Sequence, residues 1–346
     1  MRKLFWLVAI LVLTVPFAAF AQEATPEAEM IELIELPEVD PLSVSGNIVS
    51  AGSSTVFPVT ERMADLFVQG GFADTITVDS VGTGAGFERF CDNAETDISN
   101  ASRPIRPAEV DACLANGREP LEFFVAIDAL AVAVSQENDF LTGLTLEQLA
   151  QIFSGALTTW DQLDPSYPAE AIQLFSPGTD SGTFDYFVEA VFDEDETQIL
   201  NAPGIQFSED DNVLVQGILG SPYAIGYFGF AYYQENLDTL RAVPIEGIEP
   251  NEETGASGEY PLSRPLFIYT TAAIMQEKPQ VAAFVNFYIT NVQDQLGTAA
   301  DQIGYIPVPL EIQNVNRATW LIANGMGDSV PAEVMALIEE MAAEGE

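Results

Sequence analysis

The chain contains no histidine and few basic residues. Its 346 residues include two cysteines and 11 lysines and arginines, against 53 aspartates and glutamates. Without histidine neither a Ser-His-Asp triad nor a Cys-His pair can form, and two cysteines cannot build a four-cysteine zinc site. The chain has a net charge of −42, so it also lacks the basic surface that nucleic-acid binding requires. The sequence therefore excludes histidine-dependent hydrolases and the usual zinc sites, and we expect no metal, no cofactor and no nucleic-acid partner.

The composition is that of a folded protein. Hydrophobic residues make up 48% of the chain and include 22 phenylalanines, which is enough for a packed core. A single core rarely serves more than about 250–300 residues, so the length predicts two domains. The acidic residues by themselves are typical of a heavily solvated surface.

The N-terminus has the pattern of a secretory signal peptide. Arg2 and Lys3 precede an apolar run over residues 4–20, and the sequence AFA predicts cleavage near Ala21. An uncleaved anchor is the alternative, although the run is close to the shortest that spans a bilayer. The acidic, proline-containing residues 22–44 predict a flexible linker. We therefore expect an exported protein that is soluble in the periplasm or outside the cell.

Export affects the interpretation of the two cysteines. In an oxidising compartment Cys91 and Cys113 are expected to form a disulfide. Closing that loop contributes roughly 3 kcal/mol of stability in the chain-entropy model. The alternative is a pair of free, buried thiols.

Apolar segments with strand and helix patterns alternate along the chain. This alternation predicts an α/β fold with a mainly parallel sheet, whose ligands bind at the carboxyl ends of the strands. With two such lobes, the binding site is a cleft between them. Strands are predicted at residues 47–51, 75–81, 97–102, 123–134, 172–175, 224–230 and 266–271, and helices at 58–68, 107–114, 144–153, 184–192, 212–219, 279–290 and 331–341.

Three segments share the order strand, Gly/Ser/Thr turn, helix. They are residues 52–55 (GSST), 82–86 (GTGAG) and 178–183 (GTDSGT). A helix N-terminus presents unpaired amides and a partial positive charge, and hydroxyls add further donors. Each segment is thus a candidate anion cradle. Each is also compatible with an ordinary N-cap or turn, so the interpretation depends on all three occurring in one chain.

A fourth segment adds a positive charge. Arg103 follows a predicted strand in the sequence NASRP. Its planar guanidinium can bind an oxyanion through two charge-assisted hydrogen bonds. The alternative is a structural ion pair with one of the many carboxylates.

Together these segments resemble the phosphate-binding proteins of bacterial ABC transporters. The resemblance covers residues 45–309. It implies a type II periplasmic binding protein, with two α/β lobes joined by crossover strands near residues 124–134 and 262–271. Lobe I would then comprise residues 45–128 and 266–346, and lobe II residues 129–265. The matching sequences are SAGSSTVFPVTERMADLF, VDSVGTGAGFERFC, TDISNASRPI, LTLEQLAQIFSGALTTWDQL, PGTDSGTFDYF and DDNVLVQGILGSPYAIGYFGFAYY.

The resemblance also implies which residues contact phosphate. Hydroxyls, backbone amides, one guanidinium and one carboxylate from both lobes would surround it. They are Ser54, Thr55 and the Val56 amide, Gly84 and Ala85, Ser102, Arg103, Asp180, and Ser181, Gly182 and Thr183.

The sequence departs from the family pattern at three positions. Well-known members have an aspartate, which accepts the phosphate proton, where Ser102 stands, and an arginine where Pro177 stands. A donating serine is replaced by Ala85. The resemblance therefore assigns the positive charge to Arg103, and leaves Asp180 as either the proton acceptor or a helix cap.

The expected function is high-affinity binding of inorganic phosphate and its delivery to an ABC transporter permease by a monomer that is not an enzyme. Three alternatives come from other classes of protein. One is a binding protein for sulfate or molybdate, and another is a surface interaction protein with no role in transport. The third is a hydrolase using Ser181, against which the missing histidine argues.

Overall fold

A long antiparallel strand pair joins two α/β lobes. In a computed structural model, residues 32–297 and 303–344 are described, and residues 33–344 belong to one unit. The predicted signal peptide and its cleavage site lie outside the described residues. The strands are β1 (Ile48–Gly52), β2 (Ile76–Ser80), β3 (Ile98–Ala101), β4 (Leu121–Ser135), β5 (Gln173–Pro177), β6 (Gln206–Ser208), β7 (Ala224–Gly229), β8 (Leu240–Ala242) and β9 (Ser263–Thr270).

Helices connect these strands and cover the sheet. They are α1 (Phe57–Gln69), α2 (Thr83–Phe87), α3 (Pro107–Ala115), α4 (Leu146–Phe153), α5 (Trp160–Leu163), α6 (Gly182–Phe192), α7 (Thr197–Leu200), α8 (Asp211–Leu219), α9 (Phe230–Glu235), α10 (Glu252–Ala256), α11 (Ala272–Glu277), α12 (Pro279–Asn291), α13 (Leu310–Ala323) and α14 (Ala332–Glu344). A π-helical turn, Glu88–Asp92, continues α2.

The strand order is β2-β1-β3-β9-β4-β7-β5-β6, and β8 pairs with β4. β1 runs parallel to β2 and β3, and β5 runs parallel to β6 and β7. The pairs that involve β4 or β9 are antiparallel. The prediction of a mainly parallel sheet is therefore wrong for the middle of the sheet, because the strands that cross between lobes pair antiparallel.

β4 and β9 are the predicted crossover strands. Residues 121–129 of β4 pair with β9, residues 130–134 pair with β7 on the opposite edge of β4, and residues 133–135 pair with β8. The sequence of β4 (LEFFVAIDALAVAVS) lacks the alternation of a half-exposed strand because 12 of its 15 residues are buried. The crossover prediction is confirmed, while the lobe boundaries after residues 128 and 265 stay a prediction.

Aromatic side chains fill the core of the second lobe. The ring of Phe187 on α6 stacks on Tyr227 of β7 at a centroid distance of 3.7 Å, and Phe153 of α4 meets both edge-on. This packing fixes α6 against the sheet. The N-terminus of α6 is thereby held at the carboxyl end of β5.

Part of the predicted flexible linker is folded. Asn314 and Arg317 of α13 bond the amide and carbonyl of Ile34, at 2.8 and 2.6 Å. Asn286 of α12 donates to the carbonyl of Pro37 at 3.0 Å. The linker prediction is wrong for residues 33–44, since apolar residues such as Ile34 and Pro41 are buried among the acidic ones.

The sequence analysis also missed several elements. The largest is α13, which packs on β4 through Asn316, whose side chain bonds both backbone groups of Phe124 at 3.1 and 2.7 Å. Another missed element is the short helix α10.

The predicted disulfide is confirmed. Cys91 and Cys113 are bonded, and they link the π-helical turn to α3. Across the described ranges no helix is both long enough and apolar enough to cross a membrane.

Candidate functional site

The site begins where β1, β2 and β3 end at the same edge of the sheet. Gly52 has a φ of +149°, and a Cβ there would lie 2.0 Å from the carbonyl oxygen of Asn100 on β3. Its own carbonyl accepts hydrogen bonds from the amides of Val81 and Gly82, both at 2.9 Å. Only glycine fits this close approach, which joins the three strand ends.

The loop after β1 is held by its own serine. Ser53 Oγ accepts from the amides of Thr55 at 3.2 Å and Val56 at 3.4 Å. Tyr305 donates its hydroxyl to the carbonyl of Thr55 at 2.9 Å. These bonds bury Thr55 and leave Ser54 exposed at the start of α1.

The loops after β2 and β3 are joined by hydroxyl groups. Thr83 Oγ1 lies 3.0 Å from Ser102 Oγ and accepts from the amide of Ser102 at 3.2 Å. Thr83 is also the first residue of α2. The predicted cradle at residues 82–86 is therefore fixed next to the segment that carries Ser102 and Arg103.

A cavity of about 250 Å³ opens between these loops and α6. Its wall is mostly polar, with three arginines facing three carboxylates. The lining residues are Ser53, Ser54, Thr55, Gly82, Thr83, Gly84, Ser102, Arg103, Arg106, Asp185, Glu189, Glu194 and Arg264.

Arg264 is the buried cation of this cavity. It lies on β9, and its side chain is 8% exposed. Its Nη2 donates to Thr55 Oγ1 at 2.6 Å, its Nη1 to Glu189 at 2.8 Å and its Nε to Asp128 at 3.1 Å. The guanidinium also lies over the ring of Tyr186, 3.8 Å from the centroid, which is a cation–π contact. The crossover strand thus places a positive charge between the two lobes.

Asp128 holds Arg264 in place. It faces Arg264 directly in the β4–β9 register, and its side chain is 5% exposed. Burial raises the pKa of Asp128 above its ordinary value, even though Arg264 opposes that shift. An aspartate so enclosed cannot turn to solvent, so this pair is a permanent part of the site.

The other two arginines lie nearer the surface. Arg103, the predicted phosphate cation, donates to both carboxylate oxygens of Glu109, at 2.9 and 2.7 Å. The bond to Glu109 raises the pKa of Arg103. Arg103 therefore lines the cavity and also makes the structural ion pair that the sequence analysis kept as the alternative. Arg106 is exposed at the rim.

The carboxylates come from α6 and the turn that follows it. Asp185 and Glu189 are one helical turn apart and face the cavity together. Partial burial raises the pKa of Asp185, as do the charges of Glu196 and Glu189, whereas Arg264 and a bond from Ser54 lower it. After α6, Asp193 and Glu194 adopt positive φ values of 51° and 69°, which turn the chain back toward the cavity.

The second-lobe motif lies at the start of α6. Ser181 is the N-cap residue, and its Oγ accepts from the Thr183 amide at 3.2 Å. Ser181 is therefore the residue that caps the helix, while the amide of Asp180 donates to Glu209 at 3.3 Å. A Cβ built on Gly182 would lie 4.0 Å from Thr55 Oγ1. The cradles of the two lobes therefore approach each other across Thr55.

The structure brings together some of the predicted site residues. Ser54, Thr55, Gly84, Ser102 and Arg103 line the cavity. Val56, Ala85 and residues 180–183 lie beside it and do not line it.

The residues that the sequence analysis missed include Arg264, Asp128 and Glu189. A signal for the first two was present: Asp128 is the one charged residue within the apolar stretch 123–134, and Arg264 begins the other crossover segment. Opposite charges in two paired, buried strands indicate a contact between them. Glu189 had no such signal, because an acidic residue on a helix is usually solvated.

Comparison with known proteins finds a matching family model, similar sequences and a similar solved structure. A model of the PBP superfamily domain matches residues 40–292. Protein SphX of Synechocystis is 40% identical over 297 residues, covering 83% of this chain and 86% of SphX. The phosphate-binding protein PstS of Staphylococcus saprophyticus is 35% identical, covering 76% and 81%. The crystal structure of a possible phosphate binding protein from Planctomyces limnophilus is 39% identical, with a TM-score of 0.75, covering 81% of this chain and 99% of that one.

Proposed function

The chain belongs to the PBP superfamily and, within it, to the family of the SphX and PstS proteins, and on that premise we propose that it binds inorganic phosphate in its cleft and delivers it to an ABC transporter permease. The observation that carries the proposal is the buried guanidinium of Arg264 in a cavity lined with hydroxyls. A buried cation with polar neighbours favours a small anion over a neutral or apolar ligand.

The donors come from the first lobe and from the crossover strand β9. Ser54, Thr55 and Ser102 supply hydroxyls, and the turn at residues 82–86 supplies amides at the start of α2. Arg264 supplies the central charge, with Arg103 at the side of the cavity. Each charge-assisted hydrogen bond contributes about 1.5–3 kcal/mol, which together offset the cost of removing water from phosphate.

The second lobe completes the site when the cleft closes. Residues 180–183 of the second lobe lie just outside the cavity wall, and a small lobe movement would bring their polar groups to a phosphate oxygen, while the Val56 amide and Ala85 lie beside the cavity on the first lobe. Closure follows because only the closed form satisfies all the phosphate oxygens. Asp180 is then a rim residue.

The protein acts by binding and not by catalysis. Ser181 has no histidine to activate it, and its oxygen caps α6. The predicted signal peptide, which implies export to the periplasm or the cell exterior, places the protein where it can meet a membrane permease. We propose that it does so as a monomer.

Calorimetric titration tests the function directly. The purified protein, stripped of phosphate, is titrated with phosphate and separately with sulfate. We expect tight 1:1 binding of phosphate and much weaker binding of sulfate. Equal binding of both would replace phosphate with a general oxyanion such as sulfate or molybdate. Binding of neither would refute the anion site and favour an interaction protein.

A further inference from the structure

Glu189 occupies one side of the central cation. Its carboxylate accepts a hydrogen bond from Arg264 Nη1 at 2.8 Å, while Asp128 accepts from Nε and Thr55 Oγ1 accepts from Nη2. Three of the five N–H donors of the guanidinium are thus already used, one on each nitrogen. One N–H group remains on Nη1 and one on Nη2, so a phosphate that binds through both is placed beside the Glu189 carboxylate that Nη1 already holds.

The local charge is also unfavourable to an anion. Arg264 carries one positive charge, and Asp128 and Glu189 carry two negative charges between them. An incoming dianion therefore meets a net negative cluster at the very group that is to bind it. Binding becomes favourable only when one carboxylate moves away from the guanidinium.

The two carboxylates differ in their freedom to move. The side chain of Asp128 is 5% exposed, and it faces Arg264 across paired strands. The side chain of Glu189 is 45% exposed and projects from α6, with Arg264 as its ion-pair partner. A glutamate on a helix surface can change rotamer into solvent at little cost, whereas Asp128 cannot leave without burying a charge alone. Glu189 is therefore the exchangeable partner.

We infer that Glu189 is an affinity-determining residue, an internal anion that competes with the ligand for Arg264. This inference rests on the proposed function. When phosphate enters, its oxygen takes the place of the Glu189 carboxylate on Nη1, and Glu189 turns toward solvent. The Asp128 and Thr55 bonds stay, so the guanidinium keeps its orientation. Glu189 thereby lowers the affinity and speeds the release of the anion.

The test is the isosteric variant Glu189→Gln, titrated calorimetrically with phosphate and with sulfate. We expect phosphate to bind about 5- to 20-fold more tightly than to the wild type, since each tenfold corresponds to about 1.4 kcal/mol. Because the effect is one of charge, sulfate binding should tighten by a similar factor. The matched control is Glu196→Gln, which removes an exposed carboxylate after α6 that does not line the cavity, and which should change the affinity less than threefold.

The possible outcomes separate the two proposals. An unchanged or weaker phosphate affinity in Glu189→Gln, with a wild type that binds phosphate, overturns the competitor role and leaves the function intact. A selective loss of phosphate over sulfate would instead identify Glu189 as an acceptor for the phosphate proton, which also overturns it. If the wild type binds no phosphate, the proposed function itself fails. An equal gain in Glu196→Gln would mean that the general negative field, and not the Glu189 contact, sets the affinity.

Discussion

At the scale of single residues, the site depends on where its arginines are held. Arg264 is fixed by a buried aspartate and an aromatic ring, whereas Arg103 is bound to a glutamate on a neighbouring helix. Both line the cavity, but a buried cation is poorly screened by water and its bonds to an anion are correspondingly stronger. The two arginines should therefore contribute unequally to phosphate binding.

Substitution separates these contributions. Arg264→Gln alone leaves Asp128 without a partner and should cost about 3–5 kcal/mol of stability. The double variant Arg264→Gln/Asp128→Asn removes both charges and should fold, yet bind phosphate at least 100-fold more weakly in a calorimetric titration. Arg103→Gln is the comparison and should weaken binding about tenfold or less. A larger loss from Arg103→Gln than from the double variant would reverse this assignment and restore Arg103 as the main cation.

At the scale of elements, the strand-turn-helix units were the most predictable part of the chain. β1 with α1 and β5 with α6 follow the predicted positions closely, because apolar strands, glycine turns and amphipathic helices leave local patterns in sequence. The elements that were missed depend on tertiary contacts. α13 carries buried asparagines and an arginine on its inner face, so its sequence lacks a clear apolar stripe.

The site was less predictable than the fold for a related reason. Ser54, Thr55, Gly84 and Ser102 belong to local turn motifs and could be identified from sequence. The contact between Arg264 and Asp128 joins residues 136 positions apart, and only the strand register shows which side chains face each other. To identify Glu189 as a site residue, the packing of α6 against the sheet must also be known.

The start of α8 gives a pH-dependent prediction. Burial, together with Asp210 and Glu209, raises the pKa of Asp211 to about 6, despite the favourable position of a carboxylate at a helix N-terminus. The folded state then keeps its proton at pH values where the unfolded chain, with a pKa near 3.9, has lost it. The stabilising contribution is complete below that lower value and is lost as the pH rises through about 6.

Asp211→Asn should remove the loss of stability that Asp211 causes as the pH rises. At pH 7.5 the variant should be more stable than the wild type by ~1–2 kcal/mol, a value reduced for partial exposure to solvent. At pH 4 the two proteins should differ little. Urea unfolding at both pH values measures the difference, with Asp65→Asn on the exposed side of α1 as the control. An equal effect at both pH values would show that titration of Asp211 is not responsible.

At the scale of the whole molecule, charge sets the rate of encounter. The net charge is −42, and loss of residues 1–21, which contain two basic and no acidic residues, makes it −44. This field repels an approaching phosphate, and the arginines of the cavity face an equal number of carboxylates.

Salt should therefore accelerate phosphate binding. Raising the ionic strength from about 0.01 M to 0.15 M shortens the Debye length from about 30 to 8 Å and screens the distant carboxylates. Stopped-flow fluorescence should show an association rate constant that rises several-fold over this range. A rate constant that falls with added salt would mean that the local field of the arginines dominates the approach.

The position of β9 also affects how the protein is made. This strand lies between β3 and β4 in the sheet, yet a ribosome adds it after more than 260 residues have been polymerised. The first lobe has no complete sheet until then, because β9 is the strand that joins β3 to β4. Closing so long a loop is slow, and early local structure cannot assemble the cleft alone. The nascent chain thus remains without its native centre through most of its synthesis, which is the condition in which a chain can be threaded through an export channel before it folds.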